Sequence, residues 1–410
     1  MESLSRSSSP LFSSIFHTAT ASDEDELSWN ELNALLEQSF EENKSAPTDP
    51  GRLARIQSII IEISLKSSLS DQIKLLKLFE RYTFFHTNRF FETVLCQIAK
   101  ENPEITEYFS LGDPIITPQG VNKIFRFFET AYDEFPKDCL SCQTVSDLPG
   151  LIEAILNSRE SRIMKGFVIT NPPDDPHLSP IFILKTGSTV QILSSDSKGH
   201  EISSKARVYD MCKALEIIKN KFCFKEKYFE NLEIFSCKLQ RQKDIVSCPI
   251  FSILDLKNLV ERHREDGDTI FDFFKSCTST RLIMHEMMDD SDLKLSEIGL
   301  LPPEMMKVTQ SYSDLKTYAS HSPELTGGRS PTFIRKSPEG ALVFSTQTMD
   351  VLNASVMRAK CMSPRSHPIS KYVDKKRWGF IITILESHFR DRGLLPVVDE
   401  PSLLESAEWH

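Results

Sequence analysis

The strongest constraint on this chain is a hairpin written between residues 161 and 195. "SRIMKGFVIT" and "PIFILK" read as strands, and "TVQILSS" returns as a third. Thr186, Gly187 and Ser188 supply the turn between the last two, so the chain must fold back on itself there. An amphipathic helix follows, with Val208, Met211, Cys212, Leu215, Ile218 and Phe222 on one face. "LEIFSCKL" reads as a further strand, with Phe235, Cys237 and Leu239 alternating against polar residues. A loop then leads into the helix of "SCPIFSILDLKNL". The section is a small α/β unit of strand, hairpin, helix, strand, loop and helix.

Around that unit the pattern is different, and the predicted fold class is α+β. Residues 1–50 are rich in Ser, Asp and Glu and read as disordered, apart from a short helix across "SWNELNALLEQSF". Residues 51–150 read as a helical region. "RLARIQSIIIEISLKS" carries apolar residues three and four apart, and "DQIKLLKLFERY" does so with Asp71 near a helix start. The core spans 151–264. Residues 265–393 are mixed and irregular, with helical pieces in "SDLKTYAS" and "KKRWGFIITILESHF" and a loop rich in Pro, Gly and Ser at 321–340. Residues 394–410 read as a flexible tail. No internal repeat is visible.

Composition narrows the function. A chain of 410 residues with 40% hydrophobic and 26% charged residues is globular in character. Its net charge of −10 argues against a nucleic-acid-binding body, so any anion site must be local. No apolar run is long enough for a transmembrane helix. The opening residues lack the continuous apolar core of a Sec signal peptide. Nine cysteines without a framework fit a reducing compartment. Cys139 and Cys142 form a C-x-x-C pair, but no second pair or nearby histidine completes a metal site, and none is expected.

Chemistry is suggested at four positions. Pro249 suits the first turn of a helix and puts Cys248 at or beside the N-cap. There, unpaired N–H groups and the helix dipole favour a thiolate. A nucleophilic thiol needs a base, and the base an orienting group. His177 opens the "PIFILK" strand and Asp196 closes the returning strand, so the hairpin brings imidazole and carboxylate together. Gln242, six positions before Cys248, can donate to an oxygen that becomes negative, with the Cys248 backbone N–H as second donor.

This order of His, Asp, Gln and Cys resembles the YopJ family of bacterial effector acetyltransferases, which share a clan with adenovirus-type and ubiquitin-like-protein cysteine proteases. "HLSPIFILKTGSTVQILSSD" is similar to the family's histidine-to-acid segment, and "QKDIVSCPIFSILDLKNL" to its glutamine-to-cysteine motif. "LLPPEMMKVTQSYSDLKTYASHSP" resembles the segment whose lysine becomes self-acetylated, here Lys307. "VDKKRWGF" is similar to a basic stretch near the family's C-terminus. The resemblance spans roughly residues 120–390. There are departures: Pro249 replaces a glycine, Ser247 stands where glutamate is common, and Leu178 where an aromatic is frequent.

The resemblance implies a core of the ubiquitin-like-protease type and a regulatory region at 265–393. It implies ping-pong transfer of acetyl from acetyl-CoA through Cys248 to Ser, Thr or Lys of host signalling or kinase proteins. It also implies activation by inositol hexakisphosphate. The cations matching that role are Lys375, Lys376 and Arg377, with Lys360, Arg365 and Lys371 as additions to the patch and Arg281 as a further contributor on position alone. Read as a first helical turn, Lys375–Arg377 oppose the dipole, a tension a polyanion would offset. The N-terminal tract would suit delivery into the host cytoplasm by a type III or type IV system. Two alternatives use the same residues differently: a cysteine protease acting on ubiquitin or ubiquitin-like modifiers, and a catalytically silent binder of host proteins.

Overall fold

The computed structural model describes residues 34, 36–38, 50–81, 87–112, 114–132, 135–170, 177–199, 231–244, 246–263, 270–276, 281–283, 294–306, 309–310, 318, 332–336, 342–348 and 371–396. It divides into two compact units, Met1–Ser67 and Ser68–His410. In the first, residues 34 and 36–38 are helical, and α1 (Pro50–Lys66) buries Ile56, Ile60 and Ile63 as one stripe.

The second unit opens with α2 (Leu69–Arg81), α3 (Thr87–Glu101) and α4 (Pro118–Ala131). Ser68 Oγ donates to Asp71 Oδ2 at 2.7 Å and accepts from the Asp71 N–H at 3.3 Å, so Asp71 marks the helix start as its position predicted. Thr117 caps α4 by accepting from the Gly120 N–H at 3.2 Å, with Pro118 in the first turn.

Seven strands form one mixed sheet: β1 (Leu140–Thr144), β2 (Arg162–Thr170), β3 (Leu178–Thr186), β4 (Thr189–Ser194), β5 (Asn231–Cys237), β6 (Arg281–Ile283) and β7 (Lys294–Ile298). Their spatial order is β1-β2-β3-β4-β5-β7-β6. The expected hairpin is β3–β4, paired antiparallel from Ile181↔Ser194 to Thr186↔Thr189. Gly187 has φ 60° at the first loop position, while Ser188 is not among the positive-φ residues. That is the pattern of a type II′ turn, whose twist suits flanking strands.

Helices cover both faces of the sheet. On one, α5 (Leu148–Asn157) packs Leu148, Ile152 and Ile155 against Phe167, Ile181, Ile183, Val190, Ile192 and Ile234. On the other lie α6 (Cys248–His263) and α7 (Ile270–Ser276), with Phe271 5.3 Å from the Phe235 ring and 6.4 Å from Phe182. All of β3 except Thr186 is therefore buried, which explains the continuous apolar stretch from Pro180 to Leu184. Beyond the sheet come α8 (Pro303–Met306), the hairpin β8 (Thr332–Lys336) and β9 (Leu342–Thr348), and α9 (Lys371–Asp391). Trp378 of α9 stacks on Phe91 of α3 at 5.4 Å, and Phe380 meets Phe128 of α4 edge-on.

Three readings need correction or bounds. Thr332–Lys336, read as part of a Pro/Gly/Ser loop, is a strand because β9 pairs with it. Strand β1 was unforeseen: its sequence, LSCQT, carries little apolar signal and is drawn into the sheet by parallel pairing with β2. The amphipathic helix at 208–222, all of "SDLKTYAS" but Tyr318, and the tail past residue 396 lie outside the described residues, as does most of 1–50. Among the described residues no helix is long and apolar enough to cross a membrane.

Gly166 of β2 sets how closely α6 approaches the sheet. A Cβ there would stand 2.5 Å from Leu140 Cδ2 and 3.0 Å from Leu256 Cδ2. Gly166→Val should destabilise by about 1–3 kcal/mol through overpacking, measured as a lower urea midpoint at unchanged slope.

Candidate active site

His177 precedes β3 and Asp196 follows β4, and the hairpin register brings them together. His177 Nε2 lies 2.9 Å from Asp196 Oδ1 and 3.1 Å from Oδ2, with both side chains under 5% exposed. A surface ion pair, the plain alternative for such a couple, is thereby excluded. Ser179 Oγ donates to Asp196 Oδ2 at 2.8 Å and the Lys198 N–H to Oδ1 at 2.9 Å. The carboxylate is thus fixed from three sides.

A carboxylate accepts, so the proton between it and the ring sits on Nε2. In the neutral ring, Nδ1 then carries the lone pair. Nδ1 is buried and has no hydrogen-bond partner among the described residues. A buried acceptor left unpaired costs free energy and asks for an explanation; a proton to be taken from a neighbouring group supplies one.

Cys248 is the first residue of α6 and is buried. Ser247 precedes it as the helix cap, its carbonyl accepting from the N–H groups of Ile250 and Phe251. Pro249 stands second in the helix, within one position of the expected place. The Ser252 hydroxyl, one turn on, donates to the carbonyl of Leu178, joining α6 to the residue after His177.

Gln242 is buried beside Asp196. Its Oε1 accepts from Ser197 Oγ at 2.6 Å, and its own N–H and that of Arg241 donate to the Ser197 carbonyl. The side-chain Nε2 donates to the Asp244 carbonyl at 2.8 Å. The same amide lies 3.3 Å from Asp244 Oδ1, so a developing oxyanion would draw on the N–H not committed to the carbonyl and displace only this longer contact.

Two groups that the sequence did not single out hold this arrangement. One is the pair Arg241–Asp255, both fully buried. Arg241 donates to Asp255 Oδ1 at 2.8 Å and Oδ2 at 2.5 Å, to the Ser195 carbonyl at 2.9 Å and to the Met305 carbonyl at 3.0 Å. The other is Asp244. Its Oδ1 accepts from the N–H groups of Val246 and Ser247, and its Oδ2 from Ser247 Oγ and Gln310 Nε2. Burial alone would raise the Asp244 carboxyl; the bonds from Ser247 and Gln310 and the charge of Arg377 hold it below the usual carboxylate range.

The expected polyanion cations are distributed unevenly. Helix α9 begins at Lys371 and has Asp374 in its first turn, so Lys375, Lys376 and Arg377 stand in the second turn. The dipole fades there, and the expected conflict with it is largely relieved. Arg377 is buried and faces inward, donating to Ser247 Oγ at 2.7 Å and pairing with Asp374 at 3.1 Å. Lys376 is buried and Lys375 half-buried. Lys371 and Arg281 lie in described elements, but nothing is described of their side chains; Lys307, Lys360 and Arg365 lie outside the described residues. Burial pushes Cys139 and Cys142 up to about 12, the opposite of a reactive pair.

The sequence model described as "YopJ Serine/Threonine acetyltransferase" matches residues 144–382. No curated protein matches the chain. Solved structures similar to it include an AvrA variant with IP6 and CoA, at 14% identity, covering 72% of this chain and 97% of that one, with TM-score 0.42. HopZ1a in complex with IP6 and CoA is similar at 12% identity, 78% and 98% coverage and TM-score 0.42. A de-sumoylating protease is similar at 10% identity, 68% and 86% coverage and TM-score 0.29.

Arg241→Met should destabilise by about 3–5 kcal/mol, because it leaves Asp255 buried and unpaired. The double variant Arg241→Met/Asp255→Leu should recover most of that loss in urea unfolding.

Proposed function

Because the chain belongs to the YopJ serine/threonine acetyltransferase family, we propose that it is a bacterial effector that takes acetyl from acetyl-CoA onto Cys248 and passes it to a host signalling protein. The acceptor would be the hydroxyl of Ser or Thr, or the amine of Lys. The observation that carries the reading is the buried His177–Asp196 pair, whose Nδ1 has no partner among the described residues.

In the first half-reaction, His177 Nδ1 accepts the Cys248 thiol proton, and the thiolate attacks the thioester carbonyl. Asp196 holds the ring tautomer and stabilises the imidazolium. The Cys248 backbone N–H and the Gln242 amide are the proposed oxyanion donors. The tetrahedral centre collapses, the C–S bond to coenzyme A breaks, and coenzyme A leaves protonated by His177. In the second half-reaction, the acceptor hydroxyl or amine loses its proton to Nδ1 and attacks the acetyl-cysteine. Cys248 departs as thiolate and regains its proton. Lys307 is the proposed self-acetylated lysine.

Inositol hexakisphosphate is the proposed activator, a dense negative charge that a chain of net charge −10 can meet only at a local cluster of cations. The residues proposed to hold it are Lys371, Lys375, Lys376 and Arg281. Arg377 was expected among them, but its guanidinium is occupied from within by Ser247 and Asp374.

Incubation with radiolabelled acetyl-CoA, with and without inositol hexakisphosphate, tests the reading. Wild-type protein should take up label in an activator-dependent way, and Cys248→Ala should take up none. Asp196→Asn should lower the rate on the order of 10³–10⁴-fold by releasing the wrong tautomer. Equal label on Cys248→Ala would remove Cys248 as nucleophile. Cleavage of a fluorogenic ubiquitin substrate without acetyl transfer would favour a protease.

A further inference from the structure

We propose that Arg377 is a positioning residue through which helix α9 sets the backbone at the nucleophile, a proposal that rests on reading Cys248 as that nucleophile. Four side chains from three distant stretches meet immediately before α6. Arg377 donates to Ser247 Oγ at 2.7 Å, and Gln310 Nε2 donates to the same oxygen at 3.1 Å. Ser247 Oγ in turn donates to Asp244 Oδ2 at 2.6 Å. Gln310 also donates to Asp244 Oδ2, while its Oε1 accepts from the N–H groups of Lys243 and Asp244. Arg377 stands 3.9 Å from Asp244 Oδ2, and pairs with Asp374 of its own helix.

The consequence falls on the backbone. Asp244 Oδ1 collects the N–H groups of Val246 at 3.1 Å and Ser247 at 2.8 Å. Those two amides fix the chain just before the Cys248 N–H, a proposed oxyanion donor. The carboxylate can turn toward those amides only while Ser247, Gln310 and the Arg377 charge hold its other oxygen. Without Arg377, Asp244 would lose the cation 3.9 Å from its Oδ2 and Ser247 would lose its charged donor at 2.7 Å. Arg377 is held in turn by α9, whose Trp378 and Phe380 are packed into α3 and α4. Seating of the C-terminal helix is thereby linked to the geometry of the acyl-transfer centre, through a side chain that touches no reacting atom. A lysine could offer the charge but not the planar fork that reaches Ser247 and Asp374 together.

The test uses the full chain with Arg377→Gln, Arg377→Lys, Asp244→Asn and the Arg377→Gln/Asp244→Asn pair. Hydrogen exchange measured peptide by peptide needs no reaction: Arg377→Gln should raise exchange across 244–252 while β3 and β4 stay protected. In acetyl transfer, Arg377→Gln should lower kcat by about tenfold to a hundredfold with KM for acetyl-CoA changed less than about twofold, and Arg377→Lys should recover part of it. The double variant should lose little more than either single one. Wild-type exchange across 244–252, a loss confined to KM, or additive losses would each overturn the proposal. Should Arg377→Gln fail to fold, Asp244→Asn decides alone, by whether exchange rises at 244–252 and kcat falls at constant KM. Should wild-type protein move no acetyl at all, the proposed function falls, while exchange still decides whether Arg377 holds the loop.

Discussion

The buried guanidinium of Arg241 is the interaction on which the candidate site depends. Its four donors reach three places: the carboxylate of Asp255, the carbonyl of Ser195 beside Asp196, and the carbonyl of Met305 in α8. Asp255 lies on α6 about two turns from Cys248. The loop of Asp196 and the helix that Cys248 opens are therefore fastened to one planar group. Removing two charges from water costs several kcal/mol per ion, so this pair is a poor way to gain stability alone. Its effect is geometric. A hydrophobic pair of equal volume would fill the space but would leave the Ser195 and Met305 carbonyls without a donor and free to shift.

Polar groups around the site divide into two sets with different reach. The first set, His177, Ser179, Asp196 and Lys198, is local to one hairpin and closes over a short stretch of chain. The second, Asp244, Ser247, Gln310 and Arg377, gathers residues as far as 130 positions apart. Closing such loops costs entropy that grows slowly with length, so the second set forms only after the elements carrying it are packed. Aromatic contacts of Trp378 and Phe380 supply that packing. His177 and Asp196 are placed by the sheet, and the loop before Cys248 is held partly by the C-terminal helix.

This division also explains what the sequence made legible. A turn at Thr186–Ser188 with strands on either side sets the His177–Asp196 meeting by arithmetic alone, and the structure has it at 2.9 Å. Pro249 similarly marks the helix start to within one residue. Arg241 and Asp255 carried no such mark, because an arginine in a polar loop and an aspartate within a helix read as solvated side chains. Their burial is a tertiary fact. Strand β1 was missed because LSCQT has no alternation to see, and Thr332–Lys336 because nearby Pro, Gly and Ser outweighed five residues of strand.

Arg377 shows how one member of a basic run can find its partners inside the protein. Three adjacent cations in an acidic chain invite an external anion, and the family resemblance strengthens that expectation. Adjacent residues on a helix point about 100° apart, however, so a run of three cannot share one destination. Here the third turns into the protein, where Asp374 one turn back and the node at Ser247 already provide its counter-charges. Lys375, half-buried, is left on a different side of the helix from Arg377. A basic run on a buried helix is thus better read residue by residue, by angle around the axis, than as a patch. On that reading the same short stretch can serve two purposes at once, with Arg377 bracing the loop before Cys248 and the half-buried Lys375 keeping part of its side chain in reach of an anion at the surface.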